Sequence, residues 1–388
     1  MCGDCILKIL IRNFKSIRHV EIDLMPLTVL IGPPASGKSN ILDALALIGY
    51  FNRLTLIDKE YSNNPNNLEQ LNVISRFNEH RELFRYHRLT NEIQILIKNN
   101  NISVKLKIFY KKGRFTVSID NIELQWDLKA HPPQQAVNTL RSINANKIVE
   151  SRLYGFDRYG LTRALPRYTT NLSISKNIPI NILSELGWNT PYIIRGYGDI
   201  LVDLNKLLKD YLNEEIAVTT LLNGTIAVFD YWNQVVGSTV SDTIYRVLYY
   251  LLALSSSMDY TKLHGLEGRF ILLLEEPEAH VFPYFLDLLA EYIRDSLKLI
   301  YVVVVTHNPL LVSILWDKIK DTCTYYVFRE NDGSTNAVKI NIEKLAKDLR
   351  TSEELLFMSP LEVISKYGVK ETARRGKDLV IVKSGSGE

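Results

Sequence analysis

The residues with the clearest chemical capacity are the octet at 32–39, which reads Gly-Pro-Pro-Ala-Ser-Gly-Lys-Ser. It fits the P-loop pattern of a glycine, four residues and then Gly-Lys-Ser. In that pattern backbone N–H groups surround a phosphate chain, and the lysine, here Lys38, reaches the terminal phosphates. The hydroxyl of the last serine, Ser39, ligates Mg²⁺. The octet therefore predicts a site for a magnesium-bound triphosphate.

The flanks of the octet support this interpretation. An apolar, β-branched run at 27–31 predicts a buried parallel strand, and apolar residues at helical spacing predict a helix over 38–51. The turn between them exposes N–H groups at a helix start, where the helix dipole favours an anion. The predicted nucleotide-binding residues are Gly32, Pro33, Pro34, Ala35, Ser36, Gly37, Lys38, Ser39 and Asn40.

A pair of carboxylates supplies the second half of such a site. Glu275 and Glu276 follow the apolar run at 271–274, which predicts a buried strand with both acids at its carboxyl end. Glu275 is placed to hold the metal, directly or through water, and Glu276 to orient or deprotonate an attacking water. Taken alone, the pair also fits a solvated acidic turn after a core strand.

A third strand end carries a histidine. The valine run at 302–305 predicts another buried strand, and Thr306 and His307 follow it. A lone histidine is more often structural than functional. At the same sheet edge as Glu275, however, His307 is in a position to contact the γ-phosphate.

The remaining elements must bring these three loops together. Strands are predicted within residues 6–31, an antiparallel meander within 92–127, and a mostly helical and irregular stretch over 134–215. A helix over 241–256 and a strand–helix–strand unit over 270–305 follow, and two further strands finish the sheet. The predicted divisions are 1–130 for the N-terminal lobe, 131–240 for a helical lobe, 241–350 for the C-terminal half and 351–388 for an extension.

Composition excludes some classes of protein. The 388 residues are 46% hydrophobic and 23% charged, with a net charge of +3, as in ordinary globular proteins. Three cysteines do not form a disulfide framework and suit a reducing cytosol, where we expect the protein to reside. The sequence contains no apolar run of the ~20 residues that a membrane helix needs.

In combination and order, these motifs resemble the ABC-type ATPase heads of the RecF, SMC and OLD group. The resemblance rests on Asn-Phe-Lys-Ser at 13–16, the P-loop and Asn40, Glu-Glu-Pro-Glu-Ala-His at 275–280, and Thr-His-Asn-Pro at 306–309. It implies an α/β fold with a central, mostly parallel sheet, an antiparallel β lobe and a helical lobe. It also implies ATP and Mg²⁺ as ligands, Glu275 as the Walker B acid, Glu276 as the catalytic base and His307 as the switch histidine.

Heads of this group dimerise head-to-head, and each completes the other's ATP site. The corresponding element here is Ser241 with Asp242 and Thr243, just before a predicted helix, with threonine where the family has glycine. Ser241 either points at the γ-phosphate of the opposing copy or simply caps its own helix. A second departure is Pro34-Ala35, where the family usually has Asn-Gly, and Pro34 removes one N–H group from the loop.

A basic and aromatic stretch at 141–176 does not by itself identify the binding partner of the protein. Its basic residues are Arg141, Lys147, Arg152, Arg158, Arg163, Arg167 and Lys176, and its aromatic residues are Tyr154, Phe156, Tyr159 and Tyr168. This composition suits a nucleic-acid backbone with stacked bases, but equally a solvated face or an acidic protein partner. Arg152 also fits a phosphate-sensing role within an ATPase dimer.

Two functions remain open at this point. The first is a dimeric ATPase in DNA repair or anti-phage defence, which works with a separate nuclease or effector because the residues after His307 lack the carboxylate cluster of a TOPRIM nuclease. The second is an ATP-gated scaffold that binds another protein and hydrolyses little ATP. A small-molecule P-loop kinase is a distant third.

Overall fold

The computed structural model describes residues 6–54, 71–111, 113–120, 122–125, 127–130, 133–140, 149–155, 182–185, 187, 189–212, 217–221, 226–229, 234–236, 241–319, 322–348, 354 and 358–369. Within them, twelve strands form one large mixed sheet and three more form a small antiparallel sheet. Helices cover both faces of the central part of the large sheet.

In the large sheet, the side chains that point into the core are largely buried. All of the strands are short. They are β1 (Leu7–Phe14), β2 (Ile17–Leu24), β3 (Leu27–Ile31), β4 (Ile93–Lys98), β5 (Ser103–Lys111), β6 (Arg114–Ile119), β7 (Ile122–Gln125), β8 (Glu150–Tyr154), β9 (Ala217–Thr220), β10 (Ile226–Phe229), β11 (Gln234–Val236), β12 (Phe270–Glu275), β13 (Tyr301–Thr306), β14 (Thr322–Arg329) and β15 (Thr335–Ile340).

The helices are α1 (Lys38–Arg53), α2 (Leu71–Ile74), α3 (Gln134–Leu140), α4 (Thr190–Ile193), α5 (Gly198–Leu212), α6 (Asp242–His264), α7 (Pro283–Ser296), α8 (Pro309–Lys318), α9 (Ile342–Asp348) and α10 (Pro360–Tyr367). Two short 3₁₀ turns, His80–Leu83 and Arg85–His87, lie between α2 and β4.

The large sheet runs in the order β7-β6-β5-β4-β1-β2-β15-β14-β3-β13-β12-β8. The last five strands, from β14 to β8, are mutually parallel, whereas β1, β2 and β4 to β7 form an antiparallel arm. Because parallel strands end at one edge, the loops after β3, β12 and β13 emerge side by side.

The central strands have a hydrophobic core on each face. Alternate residues of β3 divide between them: Val29 packs with α6, α7 and α8 on one face, and Leu30 packs with α1 on the other. This two-sided burial explains why β3, β12 and β13 read as continuous apolar runs rather than as alternating ones. The predicted α/β class with a parallel centre and an antiparallel β part is confirmed.

Most predicted elements are present with shifts of a few residues, but β8 is a correction. The stretch over 134–215 reads as helical and irregular, yet β8 lies within it and pairs in parallel with β12. Its sequence, Glu-Ser-Arg-Leu-Tyr, is too polar to be read as a buried strand, although all five residues are buried.

Internal ion pairs make this burial tolerable. The Arg53 side chain of α1 lies 3.4 Å from Glu150 Oε1 and 2.5 Å from Glu185 Oε1, and Arg152 Nε donates to Glu150 Oε1 at 3.2 Å. Buried charges are kept in proteins when they are paired in this way. The predicted boundaries near residues 130, 240 and 350 stay predictions, and much of 351–388 lies outside the described residues.

Close packing of α1 on β8 generates a first prediction. A Cβ on Gly49 would lie 2.1 Å from Ser151 Oγ and 2.3 Å from its carbonyl oxygen. We expect Gly49→Ala to lower the free energy of unfolding by about 1–3 kcal/mol, the usual cost of overpacking. Gly196→Ala is the matched control, because nothing lies within 4 Å of a Cβ there. Denaturant titration of both variants tests this, and equal stabilities would contradict the packing.

Candidate nucleotide site

The P-loop is shaped by two close backbone approaches. Gly37 precedes α1 in the left-handed conformation, with φ 99°, and a Cβ there would lie 1.9 Å from Thr335 Oγ1. A Cβ on Gly32 would lie 2.0 Å from the carbonyl oxygen of Val327. The two glycines of the motif therefore let the loop pack directly on β14 and β15.

Contacts from the same two strands hold the middle of the loop. Ala35 has a left-handed backbone, with φ 58°, which costs an L-residue about 1–2 kcal/mol. ABC-type ATPase heads usually have glycine at this position. Arg329 Nε donates to the Ala35 carbonyl at 2.9 Å, and Thr335 Oγ1 donates to the Ser36 carbonyl at 3.1 Å. The loop thus keeps its turn despite Pro34-Ala35.

Lys38 begins α1, and its ammonium group lies within the loop. Its Nζ donates to the carbonyl oxygens of Gly32 at 2.8 Å and Pro33 at 2.9 Å, and the residue is only 3% exposed. Burial lowers the pKa of Lys38 to about 8, and the nearby carboxylates of Glu276, Glu278 and Glu275 oppose that shift. A buried ammonium flanked by carboxylates is poised to exchange partners with an incoming phosphate.

The three predicted motifs converge at one sheet edge. Ile31 at the end of β3 pairs with Thr306 of β13, and Val305 pairs with Glu275 of β12. His307 Nδ1 lies 3.0 Å from the Gly32 carbonyl oxygen and 3.3 Å from Lys38 Nζ. Its Nε2 lies 3.0 Å from Glu276 Oε1. A single histidine therefore joins the P-loop to the acidic loop.

Glu276 has an unusual backbone. Its φ of 46° lies in the left-handed region, and its N–H donates to the Val305 carbonyl at 2.8 Å. Such conformations are costly and concentrate at functional sites. Its side chain is 43% exposed and that of His307 is 34% exposed, so this side of the site faces solvent.

Glu275 lies deeper, at the last position of β12. Its carbonyl oxygen accepts a hydrogen bond from Tyr250 OH at 2.9 Å, and Oε1 lies 3.8 Å from Arg76 Nη1. Arg76 also lies 3.4 Å from the buried Asp43 of α1. Glu275 is thus anchored through its own backbone, and its carboxylate faces the partly exposed guanidinium of Arg76.

The donor set fits magnesium that arrives with a triphosphate. Among the described residues, no cluster of three or more His, Cys, Asp and Glu side chains could hold a metal ion. The P-loop edge offers instead the hydroxyl of Ser39 and the carboxylate of Glu275. Mg²⁺ typically binds through one or two protein ligands, substrate phosphates and water, so these two residues suffice.

Glu278 is a site residue that the sequence reasoning passed over. It is 8% exposed, and its Oε1 accepts from Thr306 Oγ1 at 2.5 Å and from the His307 N–H at 3.2 Å. Burial raises the pKa of this carboxyl group. Its contacts fix the turn from which His307 projects. The sequence signal for Glu278 is the third acid in Glu-Glu-Pro-Glu at 275–278. This run resembles an exposed acidic turn, so the signal is weak.

Ser241 caps its own helix. Its Oγ accepts from the Thr243 N–H at 3.3 Å, which is the N-cap geometry of α6. Thr243 Oγ1 donates to the His280 carbonyl at 2.9 Å, so the start of α6 lies against the loop that follows Glu276. A role for Ser241 in a second copy's site remains a prediction.

Arg152 does not fit the two surface roles considered for it. It is fully buried in β8, pairs with Glu150, and its guanidinium lies 5.0 Å from the centre of the Tyr260 ring. It is therefore neither a nucleic-acid contact nor a phosphate sensor; it compensates buried charge. The other six basic residues of the 141–176 stretch lie outside the described residues.

Comparisons with known proteins agree with this description of the site. Residues 5–155 match the model of the AAA ATPase domain family. With the sheet order and the three converging motifs, the match bears out the resemblance to ABC-type ATPase heads of the RecF and SMC group. No curated protein sequence matches the chain.

Three solved structures of SMC heads are similar in outline. A head bound to the C-winged helix domain of ScpA is 15% identical, with a TM-score of 0.49, over 88% of this chain and 99% of that one. The head domain from Thermotoga maritima is 14% identical, with a TM-score of 0.44, over 87% and 99%. A head with an extended coiled coil, bound to the C-terminal domain of ScpA derived from Pyrococcus furiosus, is 15% identical, with a TM-score of 0.49, over 90% and 99%.

Within the described part of the chain, every helix is too short or too polar to cross a membrane.

The lowered pKa of Lys38 predicts proton uptake on nucleotide binding. With a pKa of about 8, the amine is largely neutral in the free protein at pH 9 and regains its proton beside a phosphate. Calorimetry of ATP binding in buffers of different ionisation enthalpy measures this. We expect uptake of close to one proton at pH 9 and little at pH 6.5, and a pH-independent value near zero would contradict the assignment.

The contacts of Glu278 predict a pair of variants with different effects. Glu278→Ala removes the acceptor for Thr306 and His307, and we expect ATP turnover to fall about tenfold or more, the equivalent of one lost buried hydrogen bond to a charged group. Glu278→Gln keeps an acceptor oxygen and should retain most turnover. ATP affinity should change little in both. Equal losses in the two variants would show that His307 is not positioned through this oxygen.

Proposed function

We propose that this protein hydrolyses ATP to ADP and phosphate. One observation carries the proposal: His307 contacts both the P-loop carbonyl of Gly32 and the carboxylate of Glu276, with Lys38 3.3 Å from the same ring. A binding loop, a general base and a γ-phosphate contact therefore occupy one edge. Phosphoryl transfer asks a protein for this kind of positioning and charge compensation.

Each residue has a distinct role in the proposed reaction. Lys38 leaves the Gly32 and Pro33 carbonyls for the β- and γ-phosphates, which the N–H groups from Ser36 to Ser39 also bind. Ser39 and Glu275 hold Mg²⁺, which when bound neutralises phosphate charge. Glu276 takes a proton from a water whose oxygen bonds to the γ-phosphorus, and the bond from that phosphorus to the β–γ bridging oxygen breaks. His307 donates to the γ-phosphate.

The exposed side of the site supports a head-to-head homodimer. Glu276 and His307 are partly exposed, whereas electrostatic stabilisation is strongest where water is excluded. A second copy that presents Ser241 and the positive end of α6 would cover this side and add an anion-binding group. We expect ATP to promote this dimer.

The resemblance to the RecF, SMC and OLD group supports a role in DNA repair or anti-phage defence, together with a separate nuclease or effector protein, in the cytoplasm. The second candidate is an ATP-gated protein-binding scaffold with little hydrolysis. The left-handed Ala35 and the threonine at 243 favour it, since each departs from the family pattern at a phosphate-binding element.

Glu276→Gln separates binding from hydrolysis. The variant keeps a side chain of the same size but loses the base, so we expect turnover to fall at least 100-fold while ATP affinity changes little. Because no group is left to accept the proton of the attacking water, ATP should accumulate on the protein, and the dimer should be visible by analytical ultracentrifugation.

Lys38→Ala is the companion variant, which should lose ATP binding and the dimer together. Steady-state phosphate release is then measured with and without duplex DNA. Stimulation by DNA that Glu276→Gln abolishes supports the repair or defence role. Tight ATP binding by a wild-type protein that releases no phosphate under either condition would contradict hydrolysis and support the scaffold.

A further inference from the structure

The hairpin of β14 and β15 holds the P-loop from outside, although it carries none of the motifs of the site. Arg329 ends β14 and donates through Nε to the Ala35 carbonyl at 2.9 Å. Thr335 begins β15 and donates through Oγ1 to the Ser36 carbonyl at 3.1 Å. The two residues face each other across the hairpin, and Arg329 Nη1 also donates to the Gly333 carbonyl in its turn. Two successive carbonyls of the P-loop are thus bound to one hairpin.

These two hydrogen bonds set the direction of the N–H groups that follow. In a trans peptide the C=O and the N–H point in opposite directions, and the described residues contain no cis peptide bond. Because the carbonyls of Ala35 and Ser36 point to the hairpin, the N–H groups of Ser36 and Gly37 point away from it, into the loop. The Ser36 N–H accordingly donates to the Pro33 carbonyl at 3.3 Å, an oxygen that Lys38 Nζ also contacts.

The loop needs this outside support because its own sequence resists the turn. Pro33 and Pro34 have no N–H groups, so neither can donate to a phosphate. The turn at 33–36 has proline at its second position and a positive φ, 58°, at its third, a type II pattern in which glycine is favoured over Ala35. One way for Ala35 to relieve this strain is to turn its carbonyl, and the hydrogen bond from Arg329 opposes that movement.

Thr335 belongs to a chain of hydrogen bonds with one direction. Its Oγ1 lies 2.6 Å from Ser16 Oγ, which accepts from Asn40 Nδ2 at 2.6 Å. Because the hydroxyl proton of Thr335 goes to the Ser36 carbonyl, its oxygen accepts from Ser16, and each hydroxyl donates once and accepts once. Thr335 is 1% exposed, so its hydroxyl is held in a single orientation toward the loop.

We propose that Arg329 and Thr335 form a clamp that orients the phosphate-binding N–H groups of the P-loop and thereby sets its affinity for ATP. This inference rests on the proposed function, since it concerns the ligand of the same loop. Both side chains act through the loop backbone, so they are positioning residues. A loop that is already ordered loses less entropy when ATP binds, whereas the groups that take part in hydrolysis come from other loops. The clamp therefore raises ATP affinity and leaves turnover at saturating ATP unchanged.

Variants of Thr335 test the clamp without a change of charge. Calorimetry measures ATP affinity, and steady-state phosphate release gives kcat. We expect Thr335→Val to weaken ATP binding about fivefold, the loss of one hydrogen bond, with kcat unchanged. Thr335→Ser restores the hydroxyl and should bind ATP like wild type. Thr324→Val is the matched control, because Thr324 is equally buried in the same hairpin and its hydroxyl has no hydrogen-bond partner among the described residues.

Arg329→Ala tests the other half of the clamp. We expect it to weaken ATP binding about tenfold or more, because the lost donor is charged. Arg329 is exposed, so a mere attraction between its charge and ATP would be screened at about 1 M salt, where the Debye length is about 3 Å. A loss of orientation predicts that the ratio of wild-type to variant affinity persists at that salt concentration.

Other outcomes separate the failure of the clamp from that of the proposed function. Wild-type affinity in Thr335→Val, an equal loss in Thr324→Val, or a fall in kcat at unchanged affinity would overturn the clamp while ATP binding stands. An Arg329→Ala effect that vanishes at high salt would reduce that residue to a surface charge and overturn its part. If wild type does not bind ATP, the proposed function fails and the clamp with it. Should Arg329→Ala not fold, the Thr335 pair decides alone.

Discussion

The chemistry of this protein depends on the register of three adjacent parallel strands. Hydrogen bonding places Ile31 beside Thr306, and Val305 beside Glu275, so that three loops from distant parts of the sequence leave the sheet at the same height. A slip of one residue in any strand would turn its side chains to the opposite face. Burial on both faces makes such a slip costly, and the core thereby fixes the geometry of the site.

Charge is balanced around this edge in two different ways. At the site, the buried ammonium of Lys38 is surrounded by backbone carbonyls and three nearby carboxylates, partners that a phosphate can replace. Behind it, Arg53 of α1 and Arg152 of β8 both pair with Glu150 of β8, and Arg53 also pairs with Glu185. The first arrangement can rearrange for a ligand, whereas the second holds the edge strand in place.

Local motifs made the centre of the site predictable. The strand–turn–helix of the P-loop and the two strand ends at Glu275 and His307 are each encoded within about ten residues, so the sequence alone indicates them. Residues whose role depends on remote partners were not predictable. β8 is polar because Glu150 pairs with Arg53 of α1, and Glu278 looks like a surface acid although it is buried against Thr306.

The most direct test of the central claim is a crystal structure of the Glu276→Gln variant with ATP and Mg²⁺. It should place the γ-phosphate within hydrogen-bonding distance of Lys38 Nζ and the His307 ring, with Mg²⁺ bound by Ser39 Oγ and the Glu275 carboxylate. A nucleotide bound away from this edge, or a γ-phosphate that contacts only one of the three loops, would contradict the account.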